Sequence, residues 1–286
     1  MTLAYPPKAR KVLAATAGEA TSDGAGVRMT RLIGSRAQGP IDPFLMLDYF
    51  GSERAGDYIG GFPDHPHRGF ETVTYMLAGR MRHWDNHGHS GVIEPGDVQW
   101  MKAGRGLIHS EMPEQDRGLM RGFQLWINLP AAEKMAPPAY QEFKAAEIPV
   151  EAREGVRVKI VAGKGATGVE GPVRAPHVDA LYFDIELAPD GVFRQPLPEG
   201  HAAFFVVYEG SAVGPAEDGE RTLHALSLAT LGDGEEAALR GGPQGARALL
   251  LAARPLREPV AWNGPFVMNT RAELLQAYED YRLGRF

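Results

Sequence analysis

His65 and His67 stand two residues apart, and His109 and Glu111 repeat that spacing later in the chain. On a β-strand, residues i and i+2 project from the same face, so each pair presents two donor atoms to one point. Two such pairs on neighbouring antiparallel strands supply three imidazole nitrogens and one carboxylate. A set of three nitrogens and one oxygen with positions left open suits a divalent Fe, Mn, Ni or Cu ion better than a structural zinc, which is normally four-coordinate and closed. The competing reading is a polar cluster satisfied by hydrogen bonds alone. Glu71, four residues after His67, keeps the same face on a regular strand and is expected to back up the site behind Glu111. Arg68 and Arg105 flank these segments, where they either steady Glu71 or Glu111, contact an anionic substrate, or form surface ion pairs.

Other histidines fit these roles less well. His87 and His89 flank Gly88 amid Asp, Asn and Ser, which reads as a solvated hairpin tip. His83, on the preceding strand, is expected to face the interior as a donor behind the ligands or as a substrate contact. His177, His201 and His224 are isolated and read as structural or surface residues. The chain has no Gly-x-Ser-x-Gly elbow, phosphate-binding Walker loop or His-Glu-x-x-His helix. The glycines of Gly163–Gly168 lack a strand–loop–helix setting and read as a flexible connection.

The elements that must position these residues are short. Thirty-five glycines and 22 prolines punctuate apolar stretches such as Val92–Gln99, Val156–Val161, Leu181–Leu187, Ala202–Tyr208 and Ala248–Ala252. That is the pattern of many strands joined by turns, hence an all-β sandwich or barrel. At 286 residues the chain has room for two domains. Ala131–Val150, rich in Ala, Pro, Lys and Glu, reads as the linker, with domains expected over 1–135 and 136–286. Thr270 and Glu273 have capping-box spacing; Leu274, Tyr278 and Tyr281 recur at helical intervals, and Gly284 follows. One helix therefore closes the chain, packed on one β domain through its Leu and Tyr face.

Composition narrows the chemistry. A net charge of −6 opposes direct binding to nucleic acid. The absence of cysteine excludes disulfide scaffolds, thiolate metal sites and thiol nucleophiles. No apolar run approaches the roughly 18 residues of a membrane span, and the apolar stretch Val12–Ala15 is too short for a secretory signal. A cytoplasmic protein, with no membrane partner, is expected.

A long repeat is visible. The run from His65 through Thr72–Leu77 to Gly79 is echoed by Pro196 through Phe204–Tyr208 to Gly210, and Pro95–Gly96–Asp97 by Leu231–Gly232–Asp233. By these offsets Pro196 and Pro198 replace His65 and His67, and Gly245 and Arg247 replace His109 and Glu111, so the second copy lacks the ligands.

The segments His65–Pro66–His67–Arg68–Gly69–Phe70–Glu71–Thr72–Val73, Pro95–Gly96–Asp97–Val98–Gln99–Trp100–Met101, Ala103–Gly104–Arg105–Gly106 and His109–Ser110–Glu111–Met112 resemble the pirin family of the cupin superfamily. Asp42–Pro43–Phe44–Leu45, Leu125–Trp126–Ile127–Asn128–Leu129–Pro130 and Gly264–Pro265–Phe266–Val267–Met268–Asn269 extend the resemblance over most of the chain. It is strong over 42–130 and rests on the strand pattern alone between about 140 and 255. It implies a bicupin: two antiparallel β-barrels of the double-stranded β-helix, jelly-roll type, with a short C-terminal helix. It also implies one Fe(2+) in the N-terminal barrel, held by His65, His67, His109 and Glu111, with Mn, Ni, Cu or Zn as alternatives. Glu71 then occupies the place of the usual cupin carboxylate ligand, which pirins leave out. Several pirins resemble quercetin 2,3-dioxygenases, which open a flavonol with O₂ and release carbon monoxide. The expected activity is therefore a dioxygenase acting on a small flavonol-like aromatic, with Glu111 as the catalytic base. The alternative is an iron-binding, redox-responsive regulator that binds a protein partner without catalysis.

Overall fold

The computed structural model describes residues 8–286. The chain gathers into two compact units, one holding the residues up to Gly18 with Ala146–Pro255, the other Glu19–Ala145 with Leu256–Phe286. This division differs from a single cut at 135/136 because each chain end pairs with strands distant from it in sequence. The strand Val12–Ala17 lies antiparallel to Ser227–Leu231. The helix Arg271–Arg282 packs on the hairpin Ala261–Asn263 and Phe266–Met268, and Phe266 bridges to Arg68. An open sheet edge is stabilised by whichever segment covers it, wherever that segment lies in the sequence.

The unit built on Glu19–Ala145 has two layers. A seven-stranded sheet runs in the order Ala139–Phe143, Val98–Lys102, Phe70–Ala78, Met120–Asn128, Phe44–Ser52, Val27–Ile33, Glu19–Asp23. A four-stranded sheet runs Phe62–His67, Leu107–Pro113, Met81–Asp85, Ser90–Ile93. Val27, Met29, Phe50, Met76 and Met120 of the first sheet meet Met81 and Ile93 of the second in a buried cluster.

The other unit repeats this plan in one nine-stranded sheet. Its main path is Val12–Ala17, Ser227–Leu231, Ala202–Ala216, Glu236–Ala253, Leu181–Leu187, Val156–Ala162, Val150–Arg153. Val192–Pro196 and Gly219–His224 branch from the two long strands, which serve both layers. Among the described residues the main path in both units ends in unpaired edges, so the folds are open β-sandwiches rather than the closed barrels expected. Closure would require the two edge strands to hydrogen-bond to each other.

This order corrects the later part of the repeat. Pro95–Gly96–Asp97 precedes the strand Val98–Lys102, whereas Gly232–Asp233 follows the equivalent strand Ser227–Leu231. The counterpart of Leu107–Pro113 is the first part of Glu236–Ala253, which pairs with Val192–Pro196 as Leu107–Pro113 pairs with Phe62–His67. Gly245 and Arg247 instead belong to the part that pairs with Leu181–Leu187. A constant offset fails because the turn between Leu107–Pro113 and Met120–Asn128 is absent from the continuous strand Glu236–Ala253.

Ala131–Val150 is not a bare linker. It contains the edge strand Ala139–Phe143, paired with Val98–Lys102, and the unit boundary falls just beyond it. Gly163–Gly168 is an ordered turn in which Glu151 accepts from the backbone and hydroxyl of Thr167. The terminal helix has its capping box, Thr270 and Glu273 each satisfying the other's backbone N–H. Its deepest residue is Ala277, while Tyr278 and Tyr281 stay exposed yet lay their rings against Phe266. No helix among the described residues is long and apolar enough to cross a membrane.

Candidate metal centre and cavity

The four-stranded sheet places the imidazoles. His65 and His67 share one face of Phe62–His67, and on the adjacent strand His109 lies directly opposite His65. On the other side of that strand His109 faces Asp85 and Glu111 faces His83 in unbroken register, which keeps His109 and Glu111 on one face. The ligand nitrogens of His65, His67 and His109 all lie within 4.8 Å of one another.

The donor chemistry fits a divalent cation. His109 is 1% exposed, and neither of its ring nitrogens has a hydrogen-bond partner. Leaving such groups unpaired is costly unless something else takes their lone pairs. His65 turns Nδ1 to the Pro63 carbonyl at 2.8 Å, which fixes the tautomer with Nε2 free to ligate. Burial, reinforced by the neighbouring imidazoles, holds His67 and His109 well below the usual histidine range, so both are neutral donors. The Phe70 and Trp126 rings stand 5.0 and 5.1 Å from His67 and wall it from water.

Gly69 explains why Glu71 is not with them. Its φ of +89° breaks the strand after His67, and a Cβ there would meet the Val267 carbonyl oxygen at 2.0 Å. The chain restarts in the other sheet at Phe70 with the alternation reset. Thr74 then points to Glu111, whereas Glu71, of opposite parity, accepts from Trp100 Nε1 at 2.9 Å. Burial pushes the Glu71 carboxyl up to about 7, against the opposing pull of that bond and of Lys102. Lys134 seals the break, its ammonium donating to the Gly69 and Val267 carbonyls and to Asn128.

Glu111 lines the same cavity as His65 and His67. Thr74 Oγ1 lies 2.7 Å from both Glu111 Oε1 and Gln124 Oε1, and Gln124 Nε2 is 3.3 Å from Glu111 Oε2. A hydroxyl has one proton and satisfies only one of the two oxygens. Turning the Gln124 amide over resolves this: Nε2 donates to Thr74, Thr74 donates to Glu111 Oε1, and Gln124 Oε1 can accept a proton carried on Glu111 Oε2.

His83 is buried opposite Glu111, its Nε2 2.8 Å from Glu142 and its ring 6.2 Å from Tyr140. It thus faces the interior, held by the edge strand. His87 and His89 lie on the exposed turn, with His89 Nδ1 3.0 Å from Asp85. Arg68 is buried away from the cavity, donating to the Arg105 carbonyl and to Asp280 of the terminal helix, while Arg105 is exposed. His201 bonds the Asp179 carbonyl in the other unit.

The cavity measures about 600 Å³, within the range of small-molecule sites. Trp126, Trp262, Met46 and Phe62 give it apolar walls, and Arg31 and Asp48 contribute a charged pair that sequence reasoning missed. Asp48 is 1% exposed yet sits mid-strand in Phe44–Ser52, and such an acid within an apolar strand is the signal that would have found it.

Residues 26–127 match the profile of the pirin family, and residues 182–286 match that of the pirin C-terminal cupin domain. The chain belongs to the pirin family. A pirin-like protein of Caulobacter vibrioides is 56% identical over 278 residues, covering 97% of this pirin and 99% of that protein. Human pirin is 42% identical over 278 residues, covering 96% and 92%. The crystal structure of a quercetin 2,3-dioxygenase from Acinetobacter baumannii matches this pirin with a TM-score of 0.87 at 34% identity, covering 97% and 98%.

Proposed function

We propose that this pirin is a metal-dependent dioxygenase that opens a flavonol-like enolic aromatic with O₂, at a site holding Fe(2+) on His65, His67, His109 and Glu111. The observation that carries the reading is a cluster of three imidazoles, those of His67 and His109 buried and held neutral, beside a largely apolar cavity of about 600 Å³ that His65, His67 and Glu111 line. A regulator that changed only its surface would not need such a chamber beside its metal. The likeness to the Acinetobacter quercetin 2,3-dioxygenase supports the substrate class.

A bound divalent ion supplies Lewis acidity and a template for an enolate and O₂. The rest falls to the protein. Trp126 and Trp262, with ring centroids 6.0 Å apart, present aromatic faces against which a planar ligand stacks. Glu111 takes the proton of the substrate hydroxyl on Oε2, and the turned amide of Gln124 accepts it in a hydrogen bond. Phe70 and Trp126 shield the His67 imidazole from water. Mn, Ni, Cu or Zn would suit the same donors, and the test therefore begins with the metal.

Elemental analysis of the purified protein is paired with anaerobic addition of a flavonol followed by an O₂ pulse. The expected result is a shifted flavonol absorption band that collapses on oxygenation with release of carbon monoxide. Undiminished O₂ consumption by a metal-stripped sample would refute the mechanism.

A further inference from the structure

A row of directly opposed residues crosses the cavity side of the seven-stranded sheet: Gln99, Thr74, Gln124, Asp48, Arg31. At about 4.8 Å per strand, Thr74 and Arg31 are roughly 14 Å apart along it. From Thr74, which bonds Glu111, the row therefore runs to Arg31 on the cavity wall, a span suited to two or three linked rings. At that end Arg31 donates Nε and Nη2 to the two carboxylate oxygens of Asp48, at 2.9 and 2.7 Å. The fork consumes one face of the guanidinium. Nη1 has no protein acceptor among the described residues, and each Asp48 oxygen keeps a lone pair.

Both residues line the cavity, Arg31 with 23% of its side chain exposed and Asp48 with 1%, so a ligand that reaches this end meets the pair. A second carboxylate, Asp23, lies 3.8 Å from Arg31 Nη2, which leaves two acids around one base. A carboxylate brought there would meet net negative charge. A phenolic hydroxyl meets no such penalty, because it donates to an Asp48 oxygen and accepts from Arg31 with one group.

We propose that the Arg31–Asp48 pair is the specificity determinant of the cavity, accepting uncharged hydroxyls on the remote ring of the substrate and rejecting a carboxylate at that position. This rests on the aromatic-substrate reading above and adds to it which aromatics are preferred. A purely structural ion pair, joining Val27–Ile33 to Phe44–Ser52, would make no distinction between ligands.

The test uses three matched flavonols carrying hydroxyls, hydrogen or a carboxylate on the pendant ring. In the metal-loaded wild type, the hydroxylated compound is expected to exceed the unsubstituted one in kcat/KM by roughly tenfold, chiefly through KM, and the carboxylate to be the poorest. Asp48→Asn should shrink the first ratio to within about threefold and improve the relative standing of the carboxylate. The double substitution Arg31→Met with Asp48→Leu leaves no unpaired buried charge, and keeps the test available if the single variant fails to fold. It should abolish the preference. Ratios unchanged in a folded variant would overturn the proposal. Anaerobic titration of tryptophan fluorescence with the same compounds separates the two readings. Discrimination in binding without turnover refutes the dioxygenase and upholds the pair, while turnover without discrimination refutes the pair alone.

Discussion

The same row of five positions exists in both units. In one it reads Gln99, Thr74, Gln124, Asp48, Arg31; in the other it reads Ala229, Phe205, Leu250, Phe183, Ile160, in the same order of opposed strands. The other layer differs likewise: His65 stands opposite His109 in one unit, whereas in the other its counterpart Pro196 stands opposite Glu236 and the buried pair is Phe193 opposite Leu239. The apolar row is buried in a single large core, in which Phe193 packs edge-on to Phe205 at 6.2 Å. Each such side chain contributes about 1.5–3 kcal/mol by leaving water. The polar row gives up that stabilisation and surrounds a cavity instead. One architecture therefore tolerates either filling, and the filling, not the strand order, makes one unit a candidate reaction chamber and the other a filled apolar core.

The sharpest break in the comparison is His109→Ala. It removes the imidazole nitrogen whose partners are missing from the protein, and bound metal should fall by at least about tenfold by elemental analysis, with turnover falling alongside. Adding a chelator to the wild type should lower its melting temperature, since an ion bound only by the folded state stabilises it. A variant that retained full metal would show that His109 is a core histidine.

Leu250→Gln carries the polar row into the apolar unit. With no partner for the amide and lost packing, unfolding in urea should show a loss of about 3–5 kcal/mol. A loss near zero would mean that the two interiors are interchangeable.

Glu71 has Ala202 as its counterpart in the repeat, so only one unit buries a carboxyl there. Its folded value of about 7, above the unfolded 4.5, means that the folded state holds the proton more tightly. The associated stability is full below about pH 4.5 and is lost as pH rises toward 7, a decline of about 3 kcal/mol. Glu71→Gln, which keeps an acceptor for Trp100, should flatten this part of the stability profile in urea titrations at pH 5 and 7.5. An unchanged slope would place the titration elsewhere.

The smallest effect is expected from Thr74→Val, the apolar unit's chemistry imported into the polar row. It deprives Glu111 Oε1 of its donor, for a stability change of about 1–2 kcal/mol by chemical denaturation. Turnover should fall more than stability, because the carboxylate loses its orientation. Equal falls would make Thr74 a packing residue.

The i, i+2 spacing made the histidine pairs legible, because alternation in a strand is a local rule that needs no partner. The all-β class was legible from the glycine and proline punctuation, and the terminal helix from Thr270, Glu273 and Gly284, whose capping chemistry is complete within a few residues. Glu71 shows where local reading stops. It obeys the same alternation on paper, but Gly69 ends one strand and begins another, and its positive φ is imposed by the close approach of the Val267 backbone. Arg31, Asp48 and Gln124 come from three separate strands, and only their register sets them in one row. The strand Ala139–Phe143 likewise had no periodicity to reveal it until an open edge gave it a partner. The sequence by itself determined which atoms could ligate and where the chain must turn, since these depend on neighbours a few residues away. Tertiary structure alone decided which strand faces share an interior, because hydrogen-bond register between distant segments sets that, and with it the cavity and its far polar end.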